Sequence, residues 1–157
     1  MKQTVYRTIL IEDEVPAMKR LERMLSEFQD VIKIIDKAYD GEEAIEKINE
    51  HHPDLIFLDI QMPGYTGFEI LEMIKHIPLI IFSTAYDEYA LRAFETNSVD
   101  YLLKPVTHER LEQAVKKLSS LTEFKTNQLE ENIRSLLSEV RSGSVKRMQV
   151  KTGNKIR

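Results

Sequence analysis

The sequence predicts an α/β fold: a doubly wound, five-stranded parallel sheet in the order 2-1-3-4-5, with five helices and a C-terminal helical extension. Two observations support this prediction. Short runs of β-branched and other apolar residues alternate strictly with amphipathic segments of helical periodicity. The apolar runs lack a polar face, which is typical of parallel strands buried on both sides. Because crossovers between parallel strands are right-handed, helices should cover both faces of the sheet.

The strand predictions rest on five apolar runs of four to eight residues. Turn residues or amphipathic segments separate them along the chain. The predicted strands cover Thr8–Ile11, Val31–Ala38, Leu55–Asp59, Leu79–Phe82 and Val99–Leu103.

Helices are predicted between the strands and after the last one. The first has apolar residues at helical spacing from Val15 to Phe28, with Pro16 at a position that a first helical turn tolerates. The last follows Thr107, whose side chain suits an N-cap. The three between them are centred on Ala44–Ile48 and cover Phe68–His76 and Asp87–Glu95.

Composition excludes several classes of protein. The 157 residues include no cysteine, so disulfides, thiolate nucleophiles and cysteine-ligated metal centres are excluded. No apolar run approaches the ~18 to 20 residues of a membrane-spanning helix, and the first seven residues lack the apolar core of a signal peptide. We therefore expect no membrane association and a cytoplasmic location.

Charge is distributed unevenly along the chain. The first 120 residues contain 14 basic and 22 acidic side chains, whereas the last 37 contain 8 and 4. From Arg141 onward there are six basic residues and no acidic one. An acidic body with a basic end indicates either two functions on one chain or a solvated basic tail.

The pattern changes after Ser120, and we expect three parts: a domain over residues 1–120, a linker helix over 121–142 and the start of a second, truncated domain over 143–157. The linker carries an a/d stripe of about two heptads, fewer than the ~3 to 4 that make a coiled coil convincing. The last residues are too few to close a core of their own. The stripe consists of Leu129, Ile133, Leu136 and Val140.

Polar side chains follow four of the predicted strands. Glu12 and Asp13 follow the first strand, Asp59 ends the third, and Thr84 and Lys104 follow the fourth and fifth. Sites in open α/β sheets form at the carboxyl ends of the strands, near the point where strand order reverses. Three carboxylates meeting there would repel one another unless a proton or a hard cation such as Mg²⁺ neutralises them.

This set of side chains suits phosphoryl transfer. Asp59 can attack phosphorus as a nucleophile and form an acyl phosphate. A metal ion and Lys104 would neutralise the phosphoryl oxygens, and Thr84 would donate a hydrogen bond. Each residue alone is commonly structural, since acids at strand ends often cap the following helix. Their joint occurrence at four strand ends is what favours a functional site.

Four motifs occur in order along the chain: Leu10–Glu14, Leu58–Pro63 with Gly67, Ser83–Ala85 and Tyr101–Pro105. On the basis of these motifs, residues 4–120 resemble the CheY-like receiver domain of two-component response regulators. Residues 84–95 are similar to the LytTR subclass, whose members carry a C-terminal DNA-binding domain, and residues 148–153 are similar to the first strand of that domain.

The resemblance assigns a role to each strand-end residue. It implies that Asp59 accepts a phosphoryl group from a sensor histidine kinase. Asp13, Asp59 and the main-chain carbonyl of Gln61 would bind Mg²⁺ directly, and Glu12 would bind it through water or directly. Lys104 would contact the phosphoryl group, and the peptide bond that follows it would be cis.

The resemblance also implies a conformational switch. Thr84 and Tyr101 would form the switch pair, with Tyr101 turning inward as Thr84 moves. The face formed by Asp87–Glu95, Val99–Leu103 and the last helix would then dimerise and align two DNA-binding domains. This chain would bind DNA selectively only with the full C-terminal domain.

Three other functions remain open from the sequence. A phosphohydrolase that forms an aspartyl phosphate would use the same side chains, although haloacid-dehalogenase enzymes have Asp-x-Asp where Asp59 is followed by Ile60 and Gln61. A stand-alone receiver would signal by direct protein contact. A plain binding module would leave the site unused.

Overall fold

The computed structural model of this chain describes residues 5–85, 98–121, 133–134 and 136–137. Five parallel strands form one sheet in the order β2-β1-β3-β4-β5, which confirms the predicted topology. The strands are β1 (Tyr6–Ile11), β2 (Ile32–Ala38), β3 (Leu55–Leu58), β4 (Leu79–Thr84) and β5 (Asp100–Leu103).

Four α-helices and one short 3₁₀ helix are described around the sheet. The predicted helix over residues 87–95 lies outside the described residues. The helices are α1 (Val15–Leu25), the 3₁₀ turn Ser26–Phe28, α2 (Gly41–His51), α3 (Gly67–Met73) and α4 (His108–Ser119).

Side-chain caps mark the beginnings of α3 and α4. Thr107 accepts a hydrogen bond from the backbone N–H of Arg110 at 3.2 Å, which confirms the predicted N-cap of α4. In α3, Thr66 and Glu69 form a reciprocal capping box that sets the first residue at Gly67. That helix ends earlier than predicted because the backbone of Ile74 is extended.

The two faces of the sheet bury separate hydrophobic clusters. On one face α1 and α4 pack over residues such as Leu10, Phe57 and Ile81. On the other face α2 and α3 pack over residues such as Ile56 and Phe82. The site at the carboxyl ends of the strands is therefore carried by a sheet that is buried on both sides.

The second cluster also contains residues from the predicted linker helix. Ile133, Leu136 and Leu137 are helical and buried, with exposed fractions of 1%, 8% and 3%. The sequence predicted this stretch only as an extension, because an apolar stripe does not reveal which surface it packs against. Residues 138–157, and with them the predicted second domain, lie outside the described residues. Within the described part of the chain, no helix has the length and apolarity needed to span a membrane.

Candidate phosphoacceptor site

The carboxyl ends of β1, β3, β4 and β5 bring the predicted site residues to one edge of the sheet. Ile11 pairs with Leu58 in the parallel ladder, so Glu12 and Asp59 leave neighbouring strands at the same level. The N–H of Asp59 donates to the carbonyl of Ile11 at 3.2 Å, which ties the two strand ends together. On the far side, the N–H of Lys104 donates to the carbonyl of Thr84 at 2.8 Å.

Three carboxylates converge at this edge, as the strand ends predicted. Glu12, Asp13 and Asp59 each offer an oxygen atom, and these atoms all lie within 4.8 Å of one another. Glu12 and Asp59 are buried, with 3% and 4% of their surface exposed, whereas Asp13 is half-buried. An all-oxygen, partly accessible donor set fits a hard divalent cation such as Mg²⁺.

Lys104 neutralises part of this negative charge. Its ammonium group donates to Glu12 Oε1 at 2.5 Å and to Asp59 Oδ2 at 3.1 Å. The peptide bond between Lys104 and Pro105 is cis, as the resemblance implied. One cation therefore lies against two of the three carboxylates.

Burial dominates the electrostatics of the two buried acids. It raises the pKa of Glu12 and of Asp59 above their ordinary values, because removal from water penalises the charged form more than Lys104 stabilises it. Burial also disfavours the charged form of Lys104, but its hydrogen bond to Glu12 and the charge of Asp59 outweigh this effect and raise the pKa of Lys104. The cluster is thus short of positive charge.

Thr84 is the last residue of β4 and Tyr101 lies in β5, on the strands next to the charged cluster. The Thr84 hydroxyl is fully buried and has no hydrogen-bond partner among the described residues. An unsatisfied buried hydroxyl is costly and is available to a ligand. The ring of Tyr101 lies 6.2 Å from that of Phe82, and Tyr101 is only 9% exposed. Tyr101 is therefore largely buried, with its ring packed against Phe82.

The loop after β3 shapes the space beside Asp59. The N–H of Gln61 donates to Asp59 Oδ1 at 3.1 Å. At Gly67 an added Cβ atom would lie 2.8 Å from the carbonyl oxygen of Asp59, so the start of α3 packs directly against the acceptor backbone. A cavity of about 400 Å³ opens beside Lys104, and its lining includes Leu21, Met24 and Val106.

A third buried acid, Asp100, lies at the start of β5 and was not predicted from the sequence. Asp100 in β5 is 6% exposed and is paired with Arg110 at 2.5 Å and with Lys117 at 3.3 Å. Burial alone would raise the pKa of Asp100, but the hydrogen bonds from Arg110 and from the Tyr101 N–H, together with the two positive charges, lower it. A lone acid at a strand start gives no sequence signal, because its pairing with Arg110 and Lys117, two turns apart on one face of α4, depends on how that helix lies over β5.

Together the fold and the strand-end cluster define an α/β domain with an acidic, lysine-bearing pocket. Residues 8–116 match the family model described as "Response regulator receiver domain". The chain belongs to the response regulator receiver domain family.

The chain spans about half the length of the curated relatives it matches. It is 46% identical over 133 residues to an uncharacterized response regulatory protein of Vibrio vulnificus, covering 83% of this chain and 54% of the relative. It is 44% identical to the transcriptional regulatory protein BtsR of Salmonella typhi, covering 70% and 47%. It is 41% identical to the sensory transduction protein LytT of Bacillus subtilis, covering 71% and 47%.

Solved structures give the same family. The response regulatory domain of mrkE from Klebsiella pneumoniae matches with a TM-score of 0.65 and 30% identity, covering 80% of this chain and 98% of that one. A chain of the CheX–CheY–BeF₃–Mg²⁺ complex from Borrelia burgdorferi matches with a TM-score of 0.62 and 26% identity, covering 72% and 88%.

Proposed function

We propose that this chain is the phosphoacceptor domain of a cytoplasmic response regulator, in which Asp59 takes a phosphoryl group from a sensor histidine kinase and so controls dimerisation. One observation carries the proposal. Asp59 and Glu12 are buried against the Lys104 ammonium group, and Thr84, at the end of the neighbouring strand β4, has a buried hydroxyl with no partner among the described residues. A nucleophile and a cation are therefore in contact, with a hydrogen-bond donor at the adjacent strand end.

Phosphoryl transfer follows from these positions. A carboxylate oxygen of Asp59 attacks phosphorus, the new oxygen–phosphorus bond gives an acyl phosphate, and the bond from phosphorus to the donor imidazole breaks. The imidazole leaves as the neutral base once a proton has been taken up. Lys104 stabilises the charge on the transferred oxygens, and Thr84 can donate to one of them.

Glu12, Asp13, Asp59 and the Gln61 carbonyl are the proposed Mg²⁺ ligands, with Glu12 acting directly or through water. The three carboxylates fit the ion because their oxygens already converge. When bound, Mg²⁺ would supply positive charge against the phosphoryl oxygens. The similar chain of the CheX–CheY–BeF₃–Mg²⁺ complex from Borrelia burgdorferi supports this assignment.

The attached function that we propose is transcription regulation through a LytTR-type DNA-binding domain, of which residues 143–157 would be the beginning. The names of BtsR and LytT support this proposal, as does the basic end of the chain. The dimerising face would combine residues 87–95, residues 99–103 and α4.

Intact mass spectrometry after incubation with acetyl phosphate tests the proposed function. With Mg²⁺ we expect one phosphoryl group per chain, and with EDTA at equal ionic strength we expect incorporation to fall at least tenfold. Hydroxylamine should release the group, because acyl phosphates react with it and phosphate monoesters do not. Borohydride reduction and peptide mapping should then place the modification at Asp59.

Two outcomes would contradict this function. A phosphoryl group that survives hydroxylamine would identify a serine, threonine or tyrosine ester instead of an acyl phosphate. Rapid, repeated turnover of a small phosphomonoester would identify a phosphohydrolase, for which the acyl phosphate is only an intermediate.

Mg²⁺ is expected to raise the thermal midpoint of the wild-type chain. The pKa values of Glu12 and Asp59 are raised in the folded chain, so their ionisation opposes folding as pH rises above the pKa values of the unfolded chain. The positive charge of bound Mg²⁺ would offset this cost. At 100 times its Kd, a ligand of the folded state contributes about 2.7 kcal/mol. The gain should shrink as pH falls, because protons compete for the same oxygens. An Asp13→Asn variant with an unchanged gain would refute the ligand assignment.

Thr84→Ala is expected to retain phosphorylation but lose most phosphorylation-driven dimerisation. A hydroxyl hydrogen bond to a charged oxygen contributes roughly 1.5–3 kcal/mol, and a switch from 1:99 to 99:1 needs about 5.5 kcal/mol. Removal of this bond should therefore weaken dimerisation about tenfold or more. Thr84→Ser keeps the hydroxyl and is the matched control. Analytical ultracentrifugation with acetyl phosphate measures both, and equal dimerisation in the two variants would disprove the role of Thr84.

A further inference from the structure

Ile133, Leu136 and Leu137 of segment 133–137 pack on the domain, although the sequence spacing of this stretch is that of a self-associating helix. Ile133 and Leu136 occupy successive positions of the a/d stripe, yet both are buried in the cluster under α2 and α3. Leu137 is buried beside them, whereas Arg134 is exposed and donates a 2.9 Å hydrogen bond to the carbonyl of Lys75, just after α3. The apolar residues of this segment therefore join the hydrophobic cluster to which α2 and α3 contribute.

The same cluster contains Tyr101 and Phe82, which contact each other and belong to β5 and β4, the strands that end at the phosphoacceptor site. Thr84 ends the strand that carries Phe82, and the backbone of Lys104 bonds to Thr84. Closely packed interiors respond to displacement of one side chain by shifting its neighbours. A movement of Thr84 or Tyr101 thus changes the surface on which segment 133–137 is packed.

We propose that segment 133–137 is an internal latch whose apolar stripe has two alternative partners, the α2–α3 face of its own domain and the same stripe of a second copy. One side chain cannot be buried in both places, so docking within the chain excludes pairing between chains. Phosphorylation would release the latch by altering the packing around Tyr101. This last step rests on the proposed phosphoacceptor function, but the docked state does not.

The second copy is the occupant that the sequence favours. Leu129, Ile133, Leu136 and Val140 step by four, three and four, which is the spacing of a coiled-coil seam. Two heptads are too few to associate stably alone. Pairing of the two stripes therefore requires another surface to bring two copies together. Because the proposed dimerising face acts only after phosphorylation, pairing of the stripes would occur only in the activated state.

Thiol labelling tests the docked state cleanly, because the chain has no native cysteine. Ile133→Cys and Leu136→Cys each place one thiol in the buried stripe, and Arg134→Cys places it one residue away on the exposed side. Without phosphoryl donor, we expect the two buried thiols to react with a maleimide at least about tenfold more slowly than the exposed one. Equal rates for all three would overturn the latch.

Hydrogen exchange of the unmodified chain guards against substitutions that themselves release the segment. Amides of 133–137 should be protected to the same degree as those at the C-terminal end of α3, with which the segment packs. Exchange at the rate of an unstructured peptide would overturn the docked state regardless of the thiol results.

Disulfide formation between chains tests the second partner. With acetyl phosphate and Mg²⁺, Ile133→Cys should form a covalent dimer under mild oxidation at least about tenfold faster than without donor, whereas Ser120→Cys outside the stripe should not. Equal rates of crosslinking with and without acetyl phosphate would disprove the proposal that docking within the chain excludes pairing between chains. Intact mass distinguishes failure of the two proposals. If the chain is phosphorylated but does not crosslink, only the released state is disproved. If the chain is not phosphorylated but its thiols are protected, only the phosphoacceptor function is disproved.

Discussion

Replacement of Asp59 by asparagine is expected to abolish phosphoryl incorporation and, at the same time, to stabilise the fold. Incorporation is lost because an amide oxygen is too weak a nucleophile to displace the donor and cannot give an acyl phosphate. Stability rises because Asp59 is 4% exposed and burial raises its pKa, so its ionised form is disfavoured in the folded state. The acceptor thus opposes the stability of its own domain.

The pH dependence of this stabilisation has a definite sign. An acid whose pKa is raised on folding costs stability above the pKa of the unfolded chain, about 3.9 for aspartate, and costs none below it. The thermal midpoint of Asp59→Asn should therefore exceed that of the wild type at pH 7, and the difference should vanish as pH falls toward 4. Saturating Mg²⁺ should also reduce the difference, because only the wild type gains from the full ligand set.

Asp100→Asn is the matched control, since Asp100 is a similarly buried aspartate whose pKa is lowered instead. Its charge stabilises the fold above the pKa of the unfolded chain, and this contribution is lost as pH falls through the lower folded value. Asp100→Asn should therefore be phosphorylated normally but be less stable at pH 7. Incorporation of one phosphoryl group into Asp59→Asn, or a lower midpoint for it at pH 7, would contradict the assignment.

The strand-end site could be predicted because parallel strands impose it. Once the apolar runs containing Leu10 and Phe57 are identified as neighbouring parallel strands, the residues that follow them must lie at one edge. The sequence therefore predicted that Glu12, Asp13 and Asp59 would converge, and the structure brings their oxygens within 4.8 Å. Periodicity and topology were sufficient for this step, without any knowledge of side-chain packing.

Long-range packing could not be predicted in the same way. The burial of Ile133 depends on which of several apolar surfaces it meets, and a heptad stripe fits a sheet face as well as a partner helix. The pairing of Asp100 with Arg110 likewise depends on how α4 lies over β5, which no local pattern contains. The burial of Tyr101 also depends on how its ring packs against Phe82, which is not encoded by any local pattern in the sequence.

Lys104→Met is expected to reduce phosphoryl transfer about 100-fold and to destabilise the fold in the absence of a divalent cation. The ammonium group contacts both Glu12 and Asp59, which are 3% and 4% exposed. Its removal leaves two buried carboxylates with no positive partner among the described residues, and loss of one member of such a cluster costs about 3 kcal/mol. Methionine has a similar length, so the change is chiefly one of charge.

Mg²⁺ and pH separate this electrostatic effect from a packing defect. Without Lys104 the carboxylates are more available to a cation, so the stabilisation by Mg²⁺ should be larger in Lys104→Met than in the wild type. Lower pH should narrow the gap in stability between the two, because protonation of Glu12 and Asp59 removes the uncompensated charge. A packing defect would respond to neither change.

Lys116→Met is the matched control, because it makes the same substitution at an exposed position of α4. Its thermal midpoint and its rate of phosphoryl incorporation from acetyl phosphate, each measured with and without Mg²⁺, should be close to those of the wild type. If Mg²⁺ restored the stability of Lys104→Met but not its rate of phosphoryl transfer, Lys104 would act on the transferred phosphoryl group and not only as a counter-ion to the buried carboxylates. If the rate were unchanged from the start, Lys104 would have no part in phosphoryl transfer, and its contacts with Glu12 and Asp59 would be purely structural.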